Sequence, residues 1–345
     1  MREYAIREIP ASDGAGQTAL RTLLAAEGLE LDRHVDYSCG LFDACDRLLA
    51  TGSAYRNTLR CLAVDSAHRG EGLLGALVTH LTEVALSKGH AHLFLYAKPE
   101  AAPYFSDLGF FEIARVEGEL VFMENRAGAF RRYCEGLAGG GGGGAAVVMN
   151  ANPFTLGHLH LVERAARENS RVELFVVSEE RSLVPFRDRF EMVKRGTAAL
   201  PNVRVHPTGS YMVSSATFPS YFLKDELRIM RAHARLDCGI FLKIARAAGI
   251  SRRYVGEEPF SQITAVYNEA MLEILPAGGI ELIVVPRLEK AGVAVSASRV
   301  RALIHAGDFA AAGALLPAAS REYLLSETGK PILEAIRLAE HVVHE

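Results

Sequence analysis

A short segment before residue 160 combines backbone and side-chain groups that suit a phosphate. Residues 147–161 read VVMNANPFTLGHLHL. The apolar residues up to Met149 predict a buried strand, the Asn/Pro-rich residues predict a tight loop, and Thr155 stands where a helix N-cap belongs. The first amides of a helix have no partners within it, and together with the helix dipole they favour an anion. We therefore expect Gly157 and His158 to bind a phosphate, although an ordinary capped strand-to-helix connection has the same spacing.

The same segment resembles a signature of the nucleotidyltransferase superfamily. Residues 152–158, NPFTLGH, match its T-x-G-H element, and residues 295–301, VSASRVR, resemble its I-S-S-T-x-I-R element. In that superfamily the second element opens a helix and holds a triphosphate. Ala297 replaces a hydroxyl residue of the pattern, and Ser298 replaces Thr. Two signatures in this order imply one nucleotide site built from distant parts of the chain.

Composition sets outer limits on structure and function. A chain of 345 residues, 49% of them hydrophobic, predicts a globular protein of two domains. The net charge of −3 gives no broad basic field, which argues against a nucleic-acid-binding protein. The five cysteines show no C-x-x-C spacing and suit reduced thiols, and we assign none of them to catalysis. Charges at the N-terminus and the lack of a long apolar run predict a soluble, cytoplasmic protein with no membrane partner.

The first 130 or so residues predict a unit of their own. Alternating and apolar patterns predict strands at 4–9, 39–42, 47–55, 59–64 and 92–97, and helices at 18–27 and from about 75 to 88. A short helix around 101–105 precedes Leu108-Gly109-Phe110-Phe111, where the next strand begins. This order resembles the GNAT acyltransferase fold, an α+β architecture.

The GNAT resemblance implies a binding loop for coenzyme A. In that family an R-G-x-G-x-x loop at a helix start turns its amides towards the pyrophosphate of the ligand. The matching residues are Arg69, Gly70, Glu71, Gly72, Leu73 and Gly75. Two departures are that Ala67 stands where the family has Gln or Arg, and that Phe105 aligns with its proton-donating Tyr, with Tyr104 beside it. We favour a ligand-binding or docking domain over an independent amine acetyltransferase, and a scaffold that binds nothing is the third alternative.

A glycine tract at residues 139–144 predicts a flexible boundary between two domains. We therefore divide the chain into a GNAT-like domain (1–134), a linker (135–145) and a nucleotidyltransferase-like domain (146–345). In the last of these, predicted strands at 145–149, 172–177, 203–205, 253–255 and 281–285 alternate with helices at 187–200, 237–248 and 262–275. Such alternation predicts an α/β fold with a parallel sheet, whose ligands bind at the carboxyl ends of the strands.

Further segments narrow the family when they are taken together. Residues 214–224 (SSATFPSYFLK), 255–260 (VGEEPF) and 178–180 (SEE) each suit ordinary turns, caps and exposed charges. As a set with the Asn-Ala-Asn-Pro-Phe-Thr loop and the GNAT-like front, they resemble the citrate (pro-3S)-lyase ligase family over essentially the whole chain. That resemblance implies activation of acetate by ATP to acetyl-AMP and pyrophosphate. The acetyl group then goes to the thiol of a phosphoribosyl-dephospho-coenzyme A group on the acyl carrier subunit of citrate lyase, which activates that enzyme.

The resemblance also implies roles for individual residues. His158, Thr155, Arg301 and Lys224 would be catalytic, with His158 donating to α- and β-phosphate oxygens and Arg301 holding the β- and γ-phosphates. The implied nucleotide-binding residues are Asn150, Ala151, Asn152, Pro153, Phe154, Gly157, His158, Gly256, Glu258, Ser296, Ser298 and Arg301. Mg²⁺ is expected on the phosphates, because no carboxylate cluster forms a dedicated metal site.

Three other functions stay open at this point. The chain could instead acetylate the acyl carrier protein of malonate decarboxylase by the same chemistry. It could be a plain adenylyltransferase acting on a pantetheine phosphate or a mononucleotide, although such enzymes usually lack the GNAT-like front. From another class, a non-catalytic regulatory protein could sense coenzyme A through the first domain.

Overall fold

The computed structural model describes residues 4–138, 143–178, 180, 182–212, 218, 221, 225–257, 262–340 and 342. The chain forms two compact units, and each of them is built from two stretches of sequence. The first unit comprises Met1–Arg132 and Thr217–Leu236, and the second comprises Tyr133–Ala216 and Asp237–Glu345. The chain therefore returns to the first unit after entering the second. The predicted domain boundaries took no account of this return, and they stay a prediction.

The first unit contains a seven-stranded mixed sheet. Its strands are β1 (Ala5–Glu8), β2 (Tyr37–Phe42), β3 (Leu48–Tyr55), β4 (Thr58–Val64), β5 (Phe94–Ala97), β6 (Phe111–Val116) and β7 (Leu120–Glu124). Their order in the sheet is β1-β2-β3-β4-β5-β7-β6, and all neighbours are antiparallel except β4 and β5, which are parallel. The helices are α1 (Gly14–Ala26), α2 (Leu73–Ser87) and α3 (Ala102–Asp107), followed by α4 (Ala129–Leu137), which spans the end of this stretch. This is the GNAT-like α+β architecture that the sequence predicts.

Local signals in the sequence account for the two long helices of this unit. Asp13 caps α1 through a hydrogen bond that its carboxylate accepts from the Gly16 amide at 3.0 Å. The buried residues of α2 recur at three- and four-residue intervals, which places one apolar stripe against the sheet. Gly72, the N-cap of α2, has φ 79°, a left-handed conformation that glycine adopts without steric cost.

The second unit is built on a five-stranded sheet whose strands are all parallel. Its strands are β8 (Gly144–Met149), β9 (Val172–Val176), β10 (Val203–Pro207), β11 (Ile250–Gly256) and β12 (Glu281–Val285), in the order β10-β9-β8-β11-β12. A two-stranded ribbon follows, formed by β13 (Glu289–Lys290) and β14 (Val293–Ala294). The helices are α5 (Leu156–Glu168), α6 (Phe186–Gly196), α7 (Glu226–Ala248), α8 (Gln262–Ala277), α9 (Ala297–His305), α10 (Phe309–Gly313), α11 (Ala318–Leu325) and α12 (Lys330–Leu338). The part of α7 up to Leu236 is grouped with the first unit.

This topology confirms the predicted fold class of the second unit. β8 is the central strand, and its neighbouring residues Ala146 and Val147, which point to opposite faces, are both fully buried, as expected for a strand covered on both faces. Because all five strands run the same way, the ends of β8, β9, β11 and β12 lie at one edge of the sheet. Within the described ranges, none of the helices combines the length and the apolar character needed to cross a membrane.

Candidate functional site

Helix α5 begins with a reciprocal cap that fixes the imidazole of His158. Thr155 is the N-cap, and its Oγ1 accepts a hydrogen bond from the His158 amide at 3.4 Å. In return, Nδ1 of His158 accepts a hydrogen bond from the Thr155 amide at 3.0 Å. Because a backbone N–H can only donate, Nδ1 is the acceptor and the ring proton is on Nε2. The cap therefore leaves His158 with an N–H donor at Nε2.

Burial keeps this imidazole neutral. His158 is partly buried, and its ring stacks on that of the fully buried Phe154, with centroids 5.9 Å apart and an interplanar angle of 12°. Desolvation lowers the pKa of His158 to about 4. At neutral pH the residue therefore offers a hydrogen bond to an anion rather than a positive charge.

This lowered pKa makes the stability of the protein depend on pH. Between about pH 6.5 and pH 4, an unfolded chain binds a proton at His158 that the folded chain does not, so stability falls as the pH falls through this window. Relative to pH 7, the free energy of unfolding at pH 5 is lower by up to about 2 kcal/mol. Partial exposure of the ring keeps the loss below this limit. We expect urea unfolding at pH 7 and pH 5 to show this loss in the wild type and to show a smaller one in His158→Asn. Equal losses in the two proteins would contradict the assignment.

A buried arginine joins the loop after β8 to the second signature. Arg301 of α9 is 3% exposed, and its guanidinium donates to the carbonyl oxygens of Asn152, at 2.6 Å, and Val342, at 2.8 Å. The two segments that resemble nucleotidyltransferase signatures are therefore in direct contact. The prediction that Arg301 holds phosphates is untested, and the contacts described here link it to backbone carbonyls.

A second buried arginine, which no sequence motif indicated, supports the same loop. Arg189 of α6 is 0% exposed and donates to the carbonyl oxygens of Asn150, at 2.6 Å, Val177, at 2.9 Å, and Val184, at 3.0 Å. A buried guanidinium is tolerated only when acceptors satisfy it. One feature of the sequence could have indicated that Arg189 is buried: it lies three residues after Phe186, on the apolar stripe of the helix.

The N-termini of α5 and α9 can approach each other closely because the residue at the point of contact is a glycine, which has no side chain. A Cβ added to Gly157, in the first turn of α5, would lie 2.8 Å from the carbonyl oxygen of Val295, just before α9. Gly157 thus permits contact between two backbones, where the sequence had suggested the approach of a ligand. Ser296 caps α9 by accepting a hydrogen bond from the Arg299 amide at 3.2 Å.

We expect Gly157→Ala to lower both stability and activity. The new methyl group would collide with a backbone carbonyl that cannot rotate away, so the two helix starts must separate, at a cost of about 1–3 kcal/mol. The measurements are the urea midpoint and acetate-dependent ATP–pyrophosphate exchange. Gly239→Ala is the matched control, because a Cβ at that position in α7 meets nothing within 4 Å. If Gly157→Ala is as stable as the control, the close contact is wrong.

Three first-turn amides of these helices have no acceptor in the described part of the chain. They belong to Gly157 of α5 and to Ala297 and Ser298 of α9. The neighbouring Leu156 amide, by contrast, donates to the Leu315 carbonyl at 3.0 Å. Amides at adjacent helix N-termini, together with the Nε2 proton of His158, form a group of donors that suits an anion.

The remaining predicted residues of this site have different positions. The Asn150 side chain donates to Ser182 Oγ at 3.1 Å, and its buried Oδ1 has no hydrogen-bond partner among the residues that the structure describes. Asn152 accepts from the Val184 amide through Oδ1 at 3.0 Å. Ala151, Pro153 and Phe154 are buried and pack the loop; Gly256 ends β11, and Ser298 is partly buried in α9. Lys224 and Glu258 lie outside the described residues. Nucleotide contact by each of these residues stays a prediction.

Among the described residues, no group of three or more His, Cys, Asp or Glu side chains could hold a metal ion.

In the first unit, the glycine loop before α2 lines a cavity of about 840 Å³. Of the six residues predicted for this loop, the lining includes Arg69, Gly70, Gly72, Leu73 and Gly75. Glu71 instead accepts a hydrogen bond from the Tyr4 hydroxyl. Phe105, which replaces the proton donor of the GNAT pattern, is 5% exposed, whereas Tyr104 is 64% exposed, and both of them line the cavity.

Known proteins resemble this chain over most of its length. The family model described as "Citrate lyase ligase C-terminal domain" matches residues 144–324. The citrate (pro-3S)-lyase ligase of Klebsiella pneumoniae is 40% identical over 81% of this chain and 84% of its own length. The protein of the same name from Escherichia coli strain K12 is 39% identical over 86% of this chain and 87% of its own length.

A solved structure resembles about a third of the chain. The GNAT-family acetyltransferase of Staphylococcus aureus Mu50 has a TM-score of 0.31 and 14% identity, and it covers 35% of this chain and 98% of its own. The family match and the two relatives, by contrast, extend over half of this chain or more. On that ground, this chain is a member of the citrate (pro-3S)-lyase ligase family.

Proposed function

We propose that this chain is a cytoplasmic ligase that activates acetate with ATP and acetylates the acyl carrier subunit of citrate lyase. In the first step, an acetate oxygen attacks the α-phosphorus of ATP, and pyrophosphate leaves. In the second, the thiolate of the coenzyme A-like prosthetic group attacks the carbonyl carbon of acetyl-AMP, and AMP leaves. The family relationship favours the citrate lyase carrier over that of malonate decarboxylase.

The observation that carries the proposal is the contact between the two signatures at the starts of α5 and α9. Displacement at phosphorus depends mostly on alignment of the reactants and on neutralisation of charge. The Nε2 proton of His158 and the amides of Gly157 and Ser298 would stabilise the charge that builds on the phosphate oxygens. Since they are fixed by helix caps, these donors need little reorganisation during the reaction.

Arg301 and Mg²⁺ have separate roles in this proposal. Arg301 holds the Asn152 backbone and thereby fixes the loop in front of α5. Mg²⁺ would be bound by the phosphates and would neutralise part of their charge. The Ser296 and Ser298 hydroxyls remain candidates for contact with the departing pyrophosphate.

The cavity of the first unit would bind the coenzyme A-like arm. Gly70 and Gly72 have φ 82° and 79°, which lets successive loop amides form a concave anion site at the start of α2. Apolar residues of β4 and β5 also line the cavity, and they suit the pantetheine part of the arm. The same chain would thus hold the donor site in one unit and the acceptor site in the other.

The two half-reactions can be measured separately. We expect the wild type to catalyse ATP–pyrophosphate exchange only with acetate present, and to transfer acetyl from added acetyl-AMP to the carrier subunit. Gly72→Val should reduce the transfer about tenfold or more while the exchange continues, because a branched residue with positive φ distorts the loop. Gly118→Val is the matched control, since that glycine has φ 72° and does not line the cavity.

Either half of the proposal can fail separately. Absence of acetate-dependent exchange in the wild type would remove the ligase function and favour a protein that only senses coenzyme A. Equal transfer rates in Gly72→Val and Gly118→Val would remove the role of the cavity and leave the adenylation site intact.

A further inference from the structure

A tyrosine from the returning segment lines the cavity of the first unit. Tyr221 lies within Thr217–Leu236 and is 5% exposed. Its hydroxyl donates to the Tyr96 carbonyl of β5 at 2.8 Å, and its own carbonyl accepts from the Glu30 amide at 2.7 Å. Its ring packs in the buried cluster that contains Cys61 of β4. Tyr221 is therefore held at both its backbone and its side chain.

The cavity is a slot between two strands that separate. β4 and β5 are paired only where Thr58 and Leu59 lie beside Phe94 and Leu95. Beyond these pairs, residues 62–64 of β4 and residues 96–97 of β5 both line the cavity. The slot thus begins at the last strand pair and ends at the glycine loop before α2. The strand from residue 62 to residue 64 accounts for roughly 7 Å of its length.

The two ends of the slot differ in chemistry. The loop end carries backbone amides at a helix start, which suit a pyrophosphate, and Arg69, whose guanidinium is paired with the Glu27 carboxylate. The strand end is apolar and contains the Tyr221 ring beside Cys61. An arm with its pyrophosphate at the loop would therefore place its thiol towards Tyr221. This orientation rests on the proposed function of the cavity.

The Tyr221 ring is a rigid wall rather than a reacting group. Burial raises the pKa of its hydroxyl well above the ordinary value, so the phenol stays protonated and can keep its bond to the Tyr96 carbonyl. Buried clusters of this kind are close-packed, and forcing extra methylenes into them is unfavourable.

We propose that Tyr221 sets the acyl-chain limit of this cavity. The ring ends the slot just beyond the thiol, leaves space for an acetyl group and excludes longer acyl chains. Tyr221 is thus a specificity-determining residue for the thioester arm, supplied to the GNAT-like unit by a segment that follows residue 216.

The test compares the binding of coenzyme A thioesters of different chain length. Dissociation constants for coenzyme A, acetyl-coenzyme A and octanoyl-coenzyme A are measured by calorimetry on the full chain. We expect the wild type to bind the octanoyl ester about tenfold or more weakly than the acetyl ester, because the longer chain meets the Tyr221 ring. Tyr221→Ala should bring the two constants within about threefold of each other.

Further variants distinguish a role of Tyr221 in limiting the acyl chain from a purely structural role. Tyr221→Phe keeps the ring and should keep the wild-type ratio, whereas Tyr221→Leu shortens the wall, should lower the ratio, and serves if the alanine variant fails to fold. Leu49→Ala, at a buried position of β3 that does not line the cavity, should change both constants equally.

A ratio that is unchanged in Tyr221→Ala and Tyr221→Leu would overturn the inference while the cavity still binds the arm. A wild type that does not discriminate between the esters would also overturn it. If the wild type binds none of the three ligands, both this inference and the proposed function of the cavity fail, although the adenylation site is unaffected.

Discussion

Replacing His158 with alanine should lower the rate of acetate-dependent ATP–pyrophosphate exchange by about a hundredfold or more, or about 3 kcal/mol of transition-state stabilisation. The neutral ring has its proton on Nε2, because Nδ1 accepts from the Thr155 amide. A donor fixed in this way stabilises developing charge without reorganising. The same variant also loses half of the helix cap, so its urea midpoint must be measured alongside the rate.

His160 is the matched control for this experiment. It lies two residues further along α5, is also partly buried, and has no place in the proposed mechanism. We expect His160→Ala to keep the exchange rate within about threefold of the wild type. His158→Asn should restore the cap but not the donor at Nε2, and it should therefore recover stability more than rate. Equal rates for His158→Ala and His160→Ala would remove His158 from the mechanism.

Local signals account for the parts of the fold that the sequence predicts well. The N-cap at Thr155, the strand ending at Met149 and the glycine loop before α2 each depend on residues close together in the chain. The contact between the two signatures could be predicted only from the family resemblance. Neither segment contains a local pattern that indicates how close it lies to the other. The five-stranded parallel sheet followed from the alternation of elements.

The features that were missed depend on distant parts of the chain. Arg301 was expected to bind phosphates and Arg189 was not singled out, because the sequence does not show which carbonyls surround a side chain. Only the position of Arg189 on the apolar stripe of α6 indicated that its side chain is buried. β7 (Leu120–Glu124) was not predicted, since a run of four apolar residues is compatible with several types of structure.

No local sequence pattern predicted that Thr217–Leu236 belongs to the first unit. This arrangement limits the use of truncated proteins to separate the two activities. Deleting residues 1–130 would remove the Tyr96 carbonyl and the Cys61 packing that hold Tyr221. A truncated chain would therefore expose a buried aromatic residue in addition to losing the GNAT-like fold. Point variants in the full chain are the cleaner way to separate the two half-reactions.

If Arg301 supports the loop after β8, replacing it should lower the stability of the protein and not only its affinity for the nucleotide. Arg301→Ala leaves the Asn152 and Val342 carbonyls without their buried donor, and it should destabilise the nucleotide-free protein by about 3 kcal/mol or more. Arg301→Lys keeps the charge but cannot span both carbonyls in the same way, so it should recover only part of this loss. Urea unfolding without ATP is the deciding measurement.

Arg299 supplies the comparison, because it lies two residues away on α9 and its buried Nη1 has no hydrogen-bond partner within the described part of the chain. Removing a guanidinium that is already poorly satisfied should cost little, and we expect Arg299→Ala to stay within about 1 kcal/mol of the wild type. A different outcome is expected if Arg301 acts only on phosphates. Arg301→Ala would then be as stable as Arg299→Ala without nucleotide, and its defect would be confined to the KM for ATP and the exchange rate. A large loss of stability combined with slower exchange would instead show that the second signature acts by holding the first in place.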